Sequence, residues 1–309
     1  MAKADASTDG AAAPFRAGTV AVLGRPNVGK STLVNALVGQ KVTITAPRPQ
    51  TTRHRILGIA SRPGIQLVLI DTPGLHDAGR KHAINRVLNR TAQAAPSEAD
   101  AVLLVVEAAR FDAADRAALA VARAAGRPVV LAANKIDKVK PRTRLLPFLA
   151  QVAAEHEFAA LLPVSAQSGD GVEELAQALS TLLPAGDPLY PEDQLSDRSE
   201  RFLASELIRE QVVRQLHDEL PYAAAVVLEE WQEDERGALR LGASIFVERE
   251  AQKAIVVGAG GAMIKSIGTA ARRALTTTLG RPVHLQLWCK VRDNWSDDEA
   301  ALRRFGYGD

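Results

Sequence analysis

Over residues 19–183 the apolar positions come as short unbroken runs with stretches of helical period between them. Runs 19–23, 101–106 and 128–133 are apolar and rich in valine and leucine, which predicts strands buried on both faces. Runs 56–60 and 66–70 predict two more, joined by an Arg62-Pro63-Gly64 turn, and 160–164 predicts another. Helical spacing follows in 32–38, in the Ala-rich 112–125 and in 172–183. Strands alternating with helices define an α/β unit, a mostly parallel sheet with helices on both faces.

Beyond that the pattern changes. Pro184, Gly186, Pro188 and Pro191 predict an interdomain linker that keeps two domains, and their sites, apart. In 198–220, Leu203, Leu207, Val212, Leu216 and Leu220 recur on one helical face, which fits the core face of a second domain better than a membrane-surface or partner helix. Segments 223–233 and 238–248 flank an Asp-Glu-Arg-Gly turn at 234–237, and Leu239, Leu241, Ala243, Ile245 and Val247 alternate, so they predict a β-hairpin. Composition alone makes 255–257 a strand, and 283–291 reads as another. Ser296 with Glu299 three residues later predicts a capping box that opens a last short helix. The divisions are a tail at 1–17, a first domain at 18–183, a linker at 184–197 and a second, α+β domain at 198–309.

Composition adds limits more than content. The 309 residues suit two domains, and 47% apolar and 24% charged residues are ordinary for a soluble chain. A net charge of +2 leaves any nucleic-acid footprint to local clusters. A single cysteine, Cys289, excludes an internal disulfide and fits a reducing compartment. No apolar run approaches the ~20 residues of a membrane span. Residues 1–18 lack the apolar core of a signal peptide and read as a disordered tail, so a cytoplasmic protein is expected.

The chemistry starts between strand 19–23 and helix 32–38. Gly24-Arg25-Pro26-Asn27-Val28-Gly29-Lys30-Ser31 fits the phosphate-binding pattern G-x-x-x-x-G-K-[ST]. Strand, glycine loop and helix in that order aim backbone N–H groups and a helix N-terminus at one point. Lys30 can reach the β- and γ-phosphates, and the Ser31 hydroxyl can ligate Mg²⁺. The threonine- and proline-rich segment 43–55 is a loop in which Thr51 or Thr52 can meet Mg²⁺ and the γ-phosphate, and the residues alone do not choose between them. Asp71-Thr72-Pro73-Gly74 ends a buried strand, where Asp71 can hold Mg²⁺ through water and the Gly74 N–H can meet a γ-phosphate. Asn134-Lys135-Ile136-Asp137 follows another strand. There a carboxylate accepts from the N1–H and exocyclic amine of guanine, a pairing that adenine lacks. Asn134 and Lys135 brace that loop, and the backbone of Ser165-Ala166-Gln167-Ser168-Gly169 can meet the guanine O6.

With five motifs in order, the first half resembles the translation-factor branch of P-loop GTPases. Where Ras-like enzymes carry glutamine after D-x-x-G, this chain has Leu75, which cannot orient a water. Asn27 matches a residue that helps hold K⁺ in potassium-activated relatives, unless it only braces the loop. In the second half, Val257-Gly258-Ala259-Gly260-Gly261-Ala262-Met263-Ile264-Lys265-Ser266-Ile267 resembles the V-G-x-x-G-x-x-I-K-x-I of bacterial (type II) KH modules, in which a short helix precedes the turn. That module holds about four nucleotides of single-stranded RNA. KH turns often carry a basic residue between the glycines. Here Ala259 and Gly260 stand there, so the phosphate attraction falls to Lys253, Lys265, Arg272 and Arg273.

The combination resembles the Era GTPases of bacterial ribosome assembly, down to the strings QTTRHRILGI, DTPGLH, IGTAARRAL, VHLQLWCKV and RRFGY. The resemblance implies GTP and GDP as ligands with Mg²⁺, and GTP hydrolysis with Lys30, Asn27, Thr52 and Gly74 around the reacting phosphate. It implies Ser31, Thr52 and Asp71 for the metal. It also implies the 3′ end of 16S rRNA and the 30S subunit as partners, a link to cell-cycle control, and loose association with the inner membrane. A monomer that does not bind DNA is expected. The contrasting reading, kept open by Leu75, is a nucleotide-gated RNA scaffold whose hydrolysis is incidental. A tRNA-modifying GTPase would need a further chemistry domain that the sequence lacks.

Overall fold

The strand that feeds the phosphate loop lies inside the larger of two sheets. The computed structural model of the chain describes residues 14–48, 51–74, 83–217, 220 and 223–305. In the first half these form β1 (Arg16–Leu23), α1 (Lys30–Val38), β2 (Ile56–Arg62), β3 (Ile65–Asp71), α2 (Ala83–Ala94), β4 (Ala101–Glu107), α3 (Ala113–Ala124), β5 (Val129–Asn134), α4 (Leu145–Ala153), β6 (Ala160–Pro163) and α5 (Val172–Ser180). β1 begins two residues ahead of the expected domain start at 18. The sheet order is β2-β3-β1-β4-β5-β6, parallel except for β2, which pairs antiparallel with β3.

This order places the chemistry. β1 sits between β3 and β4, so the chain leaves it into a crevice at the carboxyl ends of the strands. The register sets Val22 beside Asp71 and Glu107 beside Asn134. The interiors of β3, β4 and β5 are buried on both faces, as their unbroken apolar runs require, whereas edge strand β6 is only half-buried. Val20, Leu67, Leu103, Val130 and Leu175 form one core layer, and Leu104, Leu119, Leu131 and Val152 the other.

The second half comprises α6 (Glu200–Gln215), β7 (Ala225–Glu233), β8 (Leu239–Val247), α7 (Glu250–Val257), α8 (Ala262–Leu279), β9 (Val283–Val291) and α9 (Glu299–Arg304). The sheet order is β7-β8-β9, with β8 and β9 parallel. Alternate side chains of β8, with Leu207 and Ile208 of α6 and Ala271 and Leu275 of α8, make its core. Each such leucine contributes about 1.5–3 kcal/mol by burial. Residues 255–257 are helical, as the KH pattern requires and against their composition; only Val256 of α7 is buried, facing β9 residues Leu287, Cys289 and Val291.

Three details depart from the sequence reading. α6 ends at Gln215, not Leu220, although Leu216 and Leu220 are buried beyond its end. Ser296 does not cap α9: its Oγ donates to Glu248 Oε1 at 2.7 Å, and Asp298 Oδ1 accepts from Ala300 N at 2.9 Å instead. The segment after Leu183 is no free spacer. Gln66 Oε1 accepts from the N–H groups of Leu189 and Tyr190, and Ile59 N donates to Leu195 O at 2.8 Å, which straps the segment to β2 and β3.

The two halves also pack directly, so the expected separation of their sites is corrected. Ile44 of the first half is buried in the core of the second. Ala83, Ile84 and Leu88 of α2 pack with Ala225, Trp295 and Leu302. Buried polar contacts join loop 43–54 to α6.

Candidate functional site

Gly29 takes φ +97 as the N-cap of α1, and Val28 and Gly24 are buried under the loop. Lys30 is buried and donates to the carbonyls of Gly24 and Arg25 at 3.0 and 3.2 Å, so its ammonium lies inside the loop. Burial lowers its pKa to about 8, against the attraction of Asp71. A dianionic phosphate in the loop would reverse that penalty. The Arg25 side chain turns away to Glu107 and Asp115 at 3.3 and 3.2 Å, leaving only its backbone to the loop. Pro26, Asn27, Gly29, Lys30, Ser31, Thr51, Thr52 and Gly74 line one cleft.

At one side of that cleft the three expected metal ligands meet. Ser31 Oγ lies 2.7 Å from Thr52 Oγ1 and donates to Asp71 Oδ2 at 2.8 Å. Thr51 instead donates to Arg48 O at 2.8 Å, so of the two threonines it is Thr52 that stands beside Ser31. Thr43, which the sequence reading did not single out, also donates to Asp71 Oδ2, at 3.0 Å. Asp71 is fully buried, its Oδ1 has no hydrogen-bond partner among the described residues, and burial raises its pKa. A buried orphan carboxylate oxygen beside two hydroxyls fits a hard divalent cation with oxygen ligands. Thr72 Oγ1 donates to Val22 O, Pro73 is buried, and Gly74 lies against Pro26. Leu75 lies outside the described residues.

The base end is equally prepared. Asn134 Nδ2 donates to Val28 O at 2.9 Å, and its Oδ1 accepts from the N–H groups of Lys135 and Ala166. Lys135 Nζ reaches Asn27 O at 2.5 Å and Glu107 Oε2 at 3.0 Å, laying its stem across the site. Asp137 is exposed apart from Oδ1, which accepts from Ser165 Oγ at 2.7 Å. Ile136 anchors the turn from below, buried with its N–H on Val164 O. Glu107 is a further site residue: burial would raise its pKa, but Lys135 and Arg25 hold it below the ordinary value. Its position at the carboxyl end of a buried strand was the available signal.

In the second half the glycine turn joins α7 to α8. Gly258, Gly260 and Gly261 have φ +72, +58 and +81. Ala259 and Gly260 are exposed, as are Lys265, Arg272 and Arg273 on α8. Lys253 is 3.5 Å from Glu250. Among the described residues no single helix is long and apolar enough to cross a membrane; α7 and α8 pass that test only as a bent pair, and they pack on the sheet.

A phosphate loop facing an Asn-Lys-Ile-Asp turn at 134–137, joined to a helix pair around G-x-x-G, defines a P-loop GTPase with a KH domain. Residues 19–135 match the family described as 50S ribosome-binding GTPase, and residues 219–296 match the KH domain. The chain is 56% identical to GTPase Era of Stenotrophomonas maltophilia strain K279a over 294 residues, 95% of this chain and 98% of that one. Against GTPase Era of Xanthomonas axonopodis pv. citri the identity is 55%, with the same coverage. The chain belongs to the Era family of GTPases, and it hydrolyses GTP. Its fold is similar to a crystal structure of Era in complex with MgGDPNP and nucleotides 1506–1542 of 16S ribosomal RNA, with TM-score 0.91 at 35% identity, covering 95% of this chain and 99% of that one. It is equally similar to Aquifex aeolicus Era bound to GDP and aluminium fluoride, with TM-score 0.90, 35% identity, and 94% and 99% covered.

Proposed function

We propose that the chain couples GTP hydrolysis to binding of the single-stranded 3′ end of 16S rRNA and acts in assembly of the 30S subunit, in the cytoplasm. Any contact with the inner membrane would be loose and made through exposed cationic surface. On the nucleotide side, Gly24 to Ser31 wrap the phosphates and Lys30 neutralises charge on the β- and γ-oxygens. Ser31, Thr52 and Asp71 would hold Mg²⁺, which would supply Lewis-acid polarisation at the phosphates. The Gly74 N–H meets the γ-phosphate, and Asp137, braced by Asn134 and Lys135, reads guanine with the Ala166 backbone near O6. Water adds to the γ-phosphorus as the bond to the β–γ bridging oxygen breaks, and its proton leaves with the phosphate product. Asn27 is the residue we assign to a K⁺ ion beside the phosphates.

On the RNA side the turn at 258–261 takes the phosphate backbone, and Lys253, Lys265, Arg272 and Arg273 supply the attraction. The observation that carries this half is the open turn itself: a Cβ placed on Gly260 or Gly261 meets nothing within 4 Å, so the rim leaves room for a backbone to approach. The test is titration of a single-stranded 16S 3′-end oligonucleotide against the parent and Gly260→Asp. Room at Gly260 lets the variant fold, and its carboxylate should lower affinity by about tenfold through like-charge repulsion. Equal affinity in the folded variant would remove the RNA assignment.

A further inference from the structure

The loop that carries Thr52 is held from the second domain. Arg209 of α6 is 1% exposed and Glu206 is 4% exposed. Arg209 Nε and Nη2 each donate to the Glu206 carboxylate at 2.7 Å, and Nη2 donates also to the backbone carbonyl of Thr51. On the other side of Thr52, Arg53 Nη1 donates to Ala224 O at 3.0 Å, and the His54 ring stands edge-on to Phe202 at 5.0 Å. Both neighbours of Thr52 are thus tied to the second domain, while Thr52 Oγ1 meets Ser31 in the first.

A buried ion pair is a poor device for stability, because apolar residues of the same size often do as well. What it offers is direction. A guanidinium locked two-pronged on a carboxylate presents the other N–H of Nη2 at a fixed point, here the Thr51 carbonyl.

We propose that Arg209, oriented by Glu206, is a positioning residue for the nucleotide site: it fixes Thr51 so that Thr52 stands ready beside Ser31, and the RNA-binding domain thereby helps select GTP over GDP. This rests on the reading of Thr52 as a Mg²⁺ ligand in the GTP state, since such loops are ordered by γ-phosphate and metal together. The test is equilibrium titration of the full chain with fluorescent GDP and a non-hydrolysable GTP analogue, in Mg²⁺ and in EDTA. Thr52→Ala should lower the Mg²⁺-dependent preference for the GTP analogue by about tenfold. Glu206→Leu with Arg209→Met removes both charges together, so neither is left buried alone. It should lower the preference by about fivefold and leave affinity for the 3′-end oligonucleotide unchanged. Arg209→Lys keeps the charge but cannot hold both partners, and should fall between parent and double variant; if the double variant does not fold, this one decides. An unchanged preference in the folded Arg209 variants, with a loss in Thr52→Ala, would make the ion pair mere filling and overturn the inference. No loss in Thr52→Ala would overturn the metal reading on which it stands.

A separate surface carries a second inference. Segment 138–144 holds Lys138, Lys140, Arg142 and Arg144, all exposed, and no acidic residue. None of the four makes an ion pair among the described residues, whereas the exposed Arg110 and Arg116 pair with Asp112 and Glu155. Val139 and Phe148, buried at 6% and 7% exposure, pin the segment at both ends. With Phe148 buried, no aromatic face is offered to a base, so the recognisable partner is phosphate alone. We infer that this face of the GTPase domain is a second, sequence-independent contact to RNA backbone on the 30S subunit, apart from the end held by the glycine turn. The triple variant Lys140→Gln, Arg142→Gln, Arg144→Gln should bind 30S subunits more weakly, with the salt slope reduced by about 2–3. Its affinities for GTP and for the isolated 3′-end oligonucleotide should match the parent. An unchanged 30S slope would overturn the inference. So would an unchanged slope accompanied by loss of binding to phosphatidylglycerol vesicles, which would assign the patch to a membrane.

Discussion

The two glycine turns of this chain both stand at the start of a helix, and they are built on opposite plans. In the first, a Cβ on Gly24 would lie 2.3 Å from the Val105 carbonyl oxygen, and one on Gly29 would lie 2.4 Å from Asn134 Nδ2. The loop is pressed between β4 and the turn at 134–137, and its glycines are required by the protein's own packing. In the second, only Gly258 is backed, by Met263 at 2.8 Å, while Gly260 and Gly261 face open space. The first turn is a preformed mould whose shape is settled before nucleotide arrives. The second is a bare rim, and the emptiness at Gly260 has a purpose only if something approaches from outside. A phosphate turn can therefore be fixed by the fold or left to the ligand, and substitutions should tell the two apart.

The largest effect is expected where the mould is most specific. Asp137→Asn keeps an acceptor for Ser165 Oγ but replaces one carboxylate oxygen with a donor, so guanine's amine loses its partner. GTP affinity should fall on the order of 10⁴-fold, and preference should move toward xanthosine triphosphate, which has a carbonyl at that place. Competition titration of the two nucleotides measures it, and equal GTP affinity in variant and parent would sink the guanine assignment.

The comparison itself is broken or kept by alanine at matched positions. Gly29→Ala must hold an L-residue at φ +97 and displace Asn134, and should cost about 1–3 kcal/mol of stability and up to about a hundredfold in GTP affinity. Gly260→Ala, at φ +58 with no neighbour to displace, should change oligonucleotide affinity by less than about threefold. Thermal melts and titrations of both variants decide. If Gly260→Ala proved as damaging as Gly29→Ala, the open rim would be part of the fold after all.

A smaller effect tests what the mould leaves unfilled. The Asn27 backbone is engaged by Lys135, while the residue itself is exposed at φ +64. If its amide helps hold K⁺ beside the phosphates, turnover should be several-fold faster in K⁺ than in Na⁺ at equal ionic strength, by electrostatic stabilisation of the transition state. Asn27→Ala should abolish the difference. Equal rates in the two salts would leave Asn27 a brace.

The preformed region was the more legible one. Unbroken apolar runs mark strands buried on both faces, so β1, β4 and β5 and the motifs at their ends could be placed from residues alone. Asp71 and Asn134 end strands β3 and β5 in register with Val22 and Glu107, which makes linear motifs converge. Thr43 and Glu107 were missed because their roles come from contacts 28 residues away in chain, to Asp71 and Lys135. α2 and α4 were missed too: α2 is polar with a narrow apolar stripe at Ile84 and Leu88 that docks on the second half, and α4 carries Pro147 within a weak pattern. The linker was misjudged for a similar reason. Its prolines announce an irregular chain, but the buried Gln66 amide that ties it down lies far away in sequence. Pattern shows what a segment is, and long-range polar contacts decide where it is held.

The smallest effect bears on the open rim. Lys265 stands on the first turns of α8, four residues after Gly261, exposed and with no ion pair among the described residues. A lysine so placed is a mobile point charge that meets phosphate without choosing a base. Lys265→Gln should therefore weaken every single-stranded oligonucleotide by a similar two- to threefold at moderate salt, a factor of the size expected for one exposed charge. The slope of log affinity against log salt should fall by about 0.7, the share of one phosphate contact on a single strand. Gly260→Asp differs in kind: it places a carboxylate at the closest approach and should weaken binding more, at every salt concentration. The measurement is titration of a pyrimidine-rich and a purine-rich oligonucleotide at two salt concentrations. If Lys265→Gln lowered affinity for one sequence and spared the other, the lysine would be reading a base, and the rim would be more specific than its open geometry implies.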